Sequence, residues 1–415
     1  MSATLAPARR RWLPRLLHDT AFRRYWSGQT VSLLGDQITL LALPLLAVLG
    51  AHAGAAQMGY LTAAELLPSL LLSLLAGAWA DRRADKRRIM IMADAGRAVL
   101  LLAIPLLYVL DALTLTQLYV VAFLIGTMSV LFEVCRTTLF VSLVSKEDYI
   151  PANALLNGAR AMSFVAGPSV GGVLVQVLSA PVALVADALS YLYSAVLLGR
   201  IRPVEPPPST APGLGIGQGL RFIARSPVMR AMLAASTTLN LFNYMFHALL
   251  VLYAVRYLHF SPGLLGLVIG VASVGALIGA AMTGRLVDRL GIGPAFVFSY
   301  VLFPAPLVLV PLAGGDQPLV VAMFFAAEFL AGMGVMILDI VAGSIQTAVV
   351  PDELRARVAG AHRTINYGIR PVGALLGGAV GAAIGVHPTL WIATVGALAG
   401  VLWLLPSPIP RMRRL

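Results

Sequence analysis

The chain has 415 residues, of which 59% are hydrophobic and only 12% are charged, whereas a soluble domain carries about 25% charged residues. Water solvates so apolar a surface poorly, which excludes an ordinary soluble protein and makes a lipid bilayer the expected solvent. The net charge of +12 does not indicate nucleic-acid binding, because the basic residues occur in short clusters between apolar runs, as they do in membrane proteins.

Twelve apolar runs follow one another along the chain, and each is long enough to cross a bilayer as a helix of about 20 residues. Several runs exceed that length, so we expect helices that are tilted or that extend beyond the hydrocarbon core. Little of the chain remains for a soluble domain. The predicted spans are 25–50, 57–80, 89–110, 115–144, 152–178, 180–199, 228–256, 262–287, 294–313, 317–348, 358–385 and 388–405.

The distribution of Lys and Arg predicts the orientation of these spans. The N-terminal tail and every second loop carry most of the 30 basic residues, whereas the opposite loops carry essentially only Arg256. Basic loops stay in the cytoplasm, so both termini are expected there, which requires an even number of spans. The tail also lacks the features of a cleaved signal peptide. We therefore expect a multi-pass protein of the cell inner (plasma) membrane.

A change in composition at 201–219 divides the chain into two halves. Five prolines and four glycines fall in this stretch, which is typical of a linker. Residues 218–226 predict a short basic amphipathic helix on the cytoplasmic surface. The predicted organisation is a cytoplasmic tail (1–24), a six-helix bundle (25–200), a cytoplasmic linker (201–227), a second six-helix bundle (228–405) and a cytoplasmic C-terminal tail (406–415).

The two halves repeat short motifs at an offset of about half the chain. Arg160, for example, matches Arg363. Such a repeat predicts two similar bundles around a central site, the layout of an alternating-access carrier. We therefore predict an all-α integral membrane protein with twelve transmembrane helices in two pseudo-symmetric six-helix bundles. The loops after spans 2 and 8 share a Gly and an Asp-Arg pair, which are Gly77, Asp81 and Arg82 in the first and Gly284, Asp288 and Arg289 in the second.

These loop motifs resemble the G-x-x-x-D-R-x-G-R-R/K signature of the major facilitator superfamily. The second copy matches through its second Gly, whereas Ala84 takes that place in the first copy. The tract 26–37 and the GPSVGG run at 167–172 are similar to the branch that contains the enterobactin exporter and macrolide efflux proteins, and the run also resembles the antiporter motif of drug–proton exchangers. The resemblance covers nearly the whole chain. It implies a permease with the major facilitator fold and favours export.

Both loop motifs and the run in span 5 are expected to control gating. A glycine lets a neighbouring helix approach closely, and an Asp at a helix end can meet an Arg or a helix N-terminus. Such a contact holds one state and breaks in the other; the alternative is a solvated loop that only sets topology. The resemblance implies that the run in span 5 seals the outward side, and a purely structural proline kink is the alternative. The expected gating residues are Gly77, Asp81, Arg82, Gly284, Asp288, Arg289, Gly167, Pro168, Gly171 and Gly172.

Polar stripes within spans 1 and 7 predict the walls of a substrate cavity. Polar residues recur at helical spacing on one face of each span, and such a face is costly against lipid. In span 1, Asp36 has a role in substrate or proton binding, or else forms a buried structural hydrogen bond. In span 7, His247 titrates near neutrality or only forms a hydrogen bond. The expected substrate-binding residues are Gln29, Ser32, Asp36, Asn240, Asn243, Tyr244, His247 and Glu328.

Carboxylates within spans are candidates for proton coupling, because an intramembrane charge is expensive and a buried carboxylate can take up a proton. Glu133 and Arg136 are one turn apart and could pair with each other or with charged residues of spans 5 and 6. We expect Asp94 and Arg97 to brace the first loop motif. The expected proton-coupling residues are Asp36, Glu65, Glu133 and Asp339.

Enzyme and cofactor chemistry have little support in the sequence. There is no phosphate-binding G-x-x-x-x-G-K-S/T loop for ATP and no nucleophile with the partners of a catalytic set. Cys135 is the single cysteine, so it cannot form an intramolecular disulfide, and we expect a buried thiol without a metal. We therefore expect no enzyme activity, no cofactor and no metal. The expected protein is a monomer whose partners are a small-molecule substrate, protons and membrane lipid, without nucleic acid.

These observations favour a carrier driven by an ion gradient, with proton antiport as the simplest coupling. The leading hypothesis is export of a small, partly apolar organic compound such as a drug, a macrolide or a siderophore. An importer or lipid-moving carrier of the same fold is the alternative, since Arg136, Arg160, Arg363 and Arg370 could bind a charged nutrient. A non-transporting membrane scaffold or receptor and an integral-membrane enzyme are further alternatives, and the intramembrane carboxylates argue against the scaffold.

Overall fold

The computed structural model describes residues 15–83, 85–203 and 216–414 of the chain. The described residues form helices and short connections, with no strand among them. Most of the predicted N-terminal tail, Ala84 of the first loop motif and most of the predicted linker lie outside the described residues, as does the side chain of Asp81.

Eleven helical segments in the described part of the chain are long and apolar enough to cross a membrane. The predicted span 57–80 coincides with a further helix of 27 residues, which is not one of these eleven. The all-helical membrane fold is therefore confirmed, whereas the count of twelve spans stays a prediction. The α-helices are α1 Thr20–Leu49, α2 Ala55–Asp81, α3 Lys86–Val109, α4 Leu115–Leu143, α5 Tyr149–Leu178, α6 Ala180–Gly199, α7 Ile216–Arg225, α8 Pro227–Leu252, α9 Pro262–Leu290, α10 Ile292–Leu302, α11 Leu309–Leu312, α12 Gln317–Val349, α13 Arg355–Ile384 and α14 Val386–Ala399.

Side-chain caps mark the start of several helices. The Asp19 carboxylate accepts a 2.8 Å hydrogen bond from the backbone N–H of Phe22, so α1 begins earlier than the hydropathy pattern predicts. Thr114 and Gln117 form a capping box at the start of α4. Such caps satisfy backbone N–H groups that the first turn of a helix leaves without intrahelical partners.

The ninth predicted span, 294–313, corresponds to Ile292–Leu312, which is long and apolar enough to cross a membrane but is not one continuous α-helix. α10 ends at Leu302, and a 3-10 turn precedes the short α11. Pro304 and Pro306 explain the interruption, because proline lacks the N–H that a helix interior requires.

The predicted surface helix after the linker corresponds to α7. It packs against the start of α13, where the carbonyl oxygen of Arg357 would lie 2.2 Å from a Cβ on Gly219. The Arg357 guanidinium also donates a hydrogen bond to the Gln218 side chain. α7 is thereby attached to the second half of the chain.

The helices before and after α7 form the two halves of the molecule, which meet mainly where α2 packs on α13 and α5 packs on α9. Two glycine pairs bring the backbones together. A Cβ on Gly59 would lie 2.7 Å from the Cα of Gly378, and a Cβ on Gly172 would lie 2.9 Å from the Cα of Gly266. All four glycines lie at the helix ends remote from the predicted cytoplasmic loops. We call this contact the seam, and the opposite helix ends, beside the basic loops, the basic side.

At the basic side, one glycine of each of the same four helices faces open space. A Cβ on Gly77 of α2, Gly158 of α5, Gly284 of α9 or Gly360 of α13 would meet no atom of a neighbouring element within 4 Å. Small residues permit close helix packing, yet here they face open space. The two halves are therefore closed at the seam and separated at the basic side.

Candidate functional site

A cavity of about 900 Å³ lies between the two halves. Helices of both halves form its wall, and the lining residues from the second half all belong to α13. The cavity reaches toward the basic side, since its lining includes residues near the corresponding ends of α2, α4, α5 and α13, namely Ser73, Thr137, Asn157 and Gly360.

The polar stripe of α1 lies on this cavity. Gln29, Ser32 and Asp36 all line it, as the helical spacing predicts. Asp36 accepts a 2.5 Å hydrogen bond from the hydroxyl of Tyr191 on α6. One predicted wall of the site therefore has the composition expected from the sequence.

Behind Asp36 lies a buried polar cluster that the sequence did not predict. The guanidinium of Arg97 is 4.1 Å from the ring centroid of Tyr191 and forms an ion pair with Asp94. Asp187 accepts a 2.9 Å hydrogen bond from Ser190 and another from Thr39. The side chains of Asp94 and Asp187 have no exposed surface. The cluster joins α1, α3 and α6.

Asp94 and Arg97 were expected to brace the first loop motif, and this expectation is wrong, because their main contacts lie elsewhere. They pair with each other in the interior of the first half, where Arg97 is also 4.7 Å from the ring centroid of Phe132. A buried charge is stable only when it is paired and hydrogen-bonded, and the aromatic rings complete the enclosure of the guanidinium.

Arg97→Met is expected to destabilise the protein by about 3–5 kcal/mol, because it leaves the Asp94 carboxylate buried without its cation. Arg136→Met is the matched control: its ion pair with Glu133 is partly exposed, with side chains 24% and 52% accessible, and should cost at most about 1 kcal/mol. Melting of the purified proteins in detergent measures the difference. Adding Asp94→Leu to Arg97→Met should recover part of the loss, and equal melting of the two single variants would contradict a structural role for the buried pair.

Glu65 and Glu133 also line the cavity. Glu133 is bound by the Arg136 guanidinium through hydrogen bonds of 2.7 and 2.5 Å, so the predicted pairing within α4 is confirmed. Glu65 of α2 has no cation within 4.0 Å among the described residues. The two carboxylates therefore differ in electrostatic environment, and only one of them is neutralised by a neighbour.

The predicted stripe of α8 does not line this cavity. Asn240 and Tyr244 instead accept hydrogen bonds of 2.9 and 3.1 Å from the Arg370 guanidinium. His247 packs edge-on against the ring of Phe246. The stripe holds a cation of α13 in place, a contact between residues more than 120 positions apart in the chain. The fourth member, Asn243, has a buried side-chain oxygen without a hydrogen-bond partner in the described part of the chain.

Glu328 and Asp339 of α12 are likewise absent from the cavity wall. Glu328 is only 7% exposed, and one of its carboxylate oxygens has no hydrogen-bond partner among the residues described. Asp339 has an exposed side chain. The structure therefore does not bring these two predicted residues to the cavity that contains Asp36.

The predicted gating residues fall on both sides of the molecule. Gly167 and Gly171 of α5 pack against Gln37 and Ile38 of α1, and Gly172 lies in the seam. The carbonyl oxygen of Pro168 would lie 2.3 Å from a Cβ on Gly266. The remaining gating residues lie at the basic side, where Arg82, Asp288 and Arg289 have exposed side chains and form no ion pair within the described ranges.

Sequence reasoning did not predict the contacts that Arg97, Tyr191, Asp187 and Arg370 form at these sites. Arg97, Asp187 and Arg370 are charged residues within predicted spans. Their charge at such positions was the only sequence signal for a functional role. The contacts between helices, such as that of Tyr191 with Asp36, were not predictable, because they join helices that are remote in the sequence.

Two helical halves around a central cavity are the architecture found in membrane transporters. The chain belongs to the transmembrane secretion effector family of the major facilitator superfamily, whose family model matches residues 11–415. It is 26% identical over 405 residues to the multidrug efflux pump Tap of Mycolicibacterium fortuitum, covering 92% of this chain and 93% of that protein. It is 28% identical over 178 residues to the staphyloferrin A transporter of Staphylococcus aureus, covering 42% of this chain and 43% of that protein.

A solved structure confirms the fold. The chain aligns with a bacterial homologue of the iron transporter ferroportin in an inward-facing state, with a TM-score of 0.76, 16% identity and coverage of 95% of this chain and 99% of the other. At this identity the similarity concerns the fold alone. The protein is therefore a multi-pass membrane transporter with the major facilitator fold, as the resemblance of the motifs implied.

Proposed function

We propose that the protein is a secondary active transporter that exports a small, partly apolar organic compound in exchange for protons. The observation that carries this proposal is the cavity of about 900 Å³ between the halves, which reaches the basic side and ends at the seam. A cavity of that volume suits a drug-sized molecule. Access from one side at a time is what an alternating-access carrier requires.

The composition of the wall supports a partly apolar substrate. Leu33, Leu66 and Ile125 line the cavity together with Gln29 and Ser32. Apolar side chains contribute binding energy through contacts that are not directional, whereas a few polar groups fix the orientation of the bound compound. Export is favoured because a full-length relative is a multidrug efflux pump.

Asp36 and Glu65 are the preferred proton carriers in this proposal. Both line the cavity, and neither has an arginine bound directly to its carboxylate within the described residues. Glu133 is less suited, because Arg136 already stabilises its charged form. Each carrier would lose its proton to the cytoplasm and regain one from outside, so that two transitions per cycle import protons and expel the compound.

The orientation of the cycle follows from the basic loops. The positive-inside rule favours a cytoplasmic basic side. The proposal has both termini on that side, in a monomer of the cell inner (plasma) membrane. The state described is then open to the cytoplasm. In the opposite state the seam opens and the basic side closes. We propose that the two loop motifs hold the basic side closed, through Asp81 and Arg82 in the first motif and Asp288 and Arg289 in the second.

Expression in a bacterium that lacks its own broad efflux pumps tests the proposal. Cells are loaded with a panel of fluorescent dyes and macrolides, and accumulation is measured with and without a protonophore. We expect lower accumulation of at least one compound, and we expect the protonophore to abolish the difference. Increased accumulation would support the importer instead. Unchanged accumulation across the panel would contradict broad export and leave a dedicated compound as the substrate.

A further inference from the structure

The helix α13 carries an arginine–tyrosine–arginine ladder, of which Arg363 and Tyr367 line the cavity. Arg363, Tyr367 and Arg370 lie at helical spacing on one face of this helix. The guanidinium carbon of Arg370 is 3.8 Å from the ring centroid of Tyr367, and that of Arg363 is 5.1 Å from the same centroid. Stacking on an aromatic ring holds a guanidinium in place without neutralising its charge. The ladder therefore presents positive charge at a defined position.

The arginines of this region differ in how their charges are satisfied. Arg97 pairs with Asp94, and Arg136 pairs with Glu133. Arg370 donates to the neutral side chains of Asn240 and Tyr244. Within the described residues, no carboxylate lies within 4.0 Å of Arg160 or Arg363. In the part of the chain that the structure describes, these two guanidiniums therefore have no counter-ion.

Arg160 and Arg363 line the same cavity from opposite halves. Arg160 belongs to α5 and Arg363 to α13, and the two positions correspond in the internal repeat. Both lie on the part of the wall that extends toward the basic side, next to Asn157 and Thr364. A compound entering from that side meets one uncompensated cation on each wall.

We propose that Arg160 and Arg363 bind the carboxylate of an amphipathic organic anion, while Tyr367 contacts its apolar part. This inference rests on the proposed transport function and names the class of its substrate. A guanidinium offers a planar fork of donors that matches a carboxylate. Because the two arginines come from different halves, an anion that contacts both connects the halves, and this connection must change when the halves move. Export of an anion is also assisted by the inside-negative membrane potential.

Two xanthene dyes with the same ring system and opposite charge test the assignment. Binding of carboxyfluorescein, an anion, and rhodamine 6G, a cation, is measured by fluorescence anisotropy with the full-length protein in lipid nanodiscs. We expect tighter binding of carboxyfluorescein. Arg160→Gln and Arg363→Gln should each weaken that binding about 10-fold or more, since each removes a charge-assisted contact, while rhodamine 6G binding stays unchanged or improves.

Arg225→Gln is the matched control, because Arg225 is exposed on α7 and does not line the cavity. It should leave both affinities within about twofold. Preference for rhodamine 6G, or carboxyfluorescein binding that is the same in all variants, would overturn the assignment of an anionic substrate. If the same protein still exports compounds of the cellular panel in a protonophore-sensitive way, only the substrate class is wrong. If it exports none of them, the proposed function is wrong as well.

Discussion

Replacing Gly172 with valine is expected to lower the transport rate about 100-fold or more by preventing the seam from closing. A Cβ at this position would lie 2.5 Å from the carbonyl oxygen of Pro262 and 2.9 Å from the Cα of Gly266. These are backbone atoms and cannot rotate away, so any side chain pushes α5 and α9 apart. The population then shifts to the state that is open at the seam. A carrier held in one state cannot complete its cycle.

The rate is measured as efflux from proteoliposomes loaded with a panel compound that the wild-type protein exports. Gly343→Val is the control, because Gly343 is an exposed glycine of α12 with no neighbouring element within 4 Å of its Cβ. That substitution should change the rate by no more than about twofold.

A thiol-labelling measurement separates a shift of state from a loss of folding. Asn157 lines the cavity near the basic side, so Asn157→Cys in a Cys135→Ser background should react readily with a polar maleimide in the state described here. Adding Gly172→Val should slow this reaction, because the basic side closes when the seam opens. Unchanged labelling together with unchanged transport would show that the seam does not gate the cavity.

Asp36→Asn is expected to remove the proton-driven part of transport, with a loss of about 100-fold in accumulation against a gradient. Asn has nearly the same shape as Asp and can still accept the hydrogen bond from the Tyr191 hydroxyl, which is 2.5 Å long in the wild-type protein. The variant therefore keeps the contact between α1 and α6 but cannot release a proton. Substrate exchange without a gradient should persist, because it needs no change of protonation.

Proteoliposomes with an imposed pH gradient, compared with the same vesicles without one, measure the two activities separately. Asp316→Asn is the control, since Asp316 is an exposed carboxylate before α12 and lies off the cavity wall. If Asp36→Asn retains wild-type transport along the pH gradient, Asp36 has the structural role, and Glu65 becomes the candidate to substitute next. Loss of both activities together would indicate a defect in substrate binding instead.

The sites could be predicted where they depend on contacts within one helix. The stripe of Gln29, Ser32 and Asp36 lines the cavity as predicted, because residues at helical spacing share a face. Glu133 and Arg136 form the predicted pair for the same reason. In both cases the spacing along the chain determines the distance in space.

Predictions that required a partner on another helix were less successful. The stripe of α8 was expected to face the substrate, but Asn240 and Tyr244 bind Arg370 of α13. Asp94 and Arg97 were expected at the first loop motif and instead form a buried pair next to Tyr191. A polar face that is costly against lipid can be satisfied by a cavity or by another side chain, and helical periodicity does not distinguish the two.

The sequence by itself determined the helical membrane fold, because hydropathy and segment length are local properties that a bilayer acts on directly. It also predicted a duplication and showed which charged residues fall within spans, where a charge is costly. Only the tertiary structure decided where those charges lie: Asp36 binds Tyr191, 155 positions away, and Arg160 and Arg363 line one cavity from opposite halves. Such contacts depend on how the helices pack, and the closed seam and open basic side depend further on which of two packings the halves adopt.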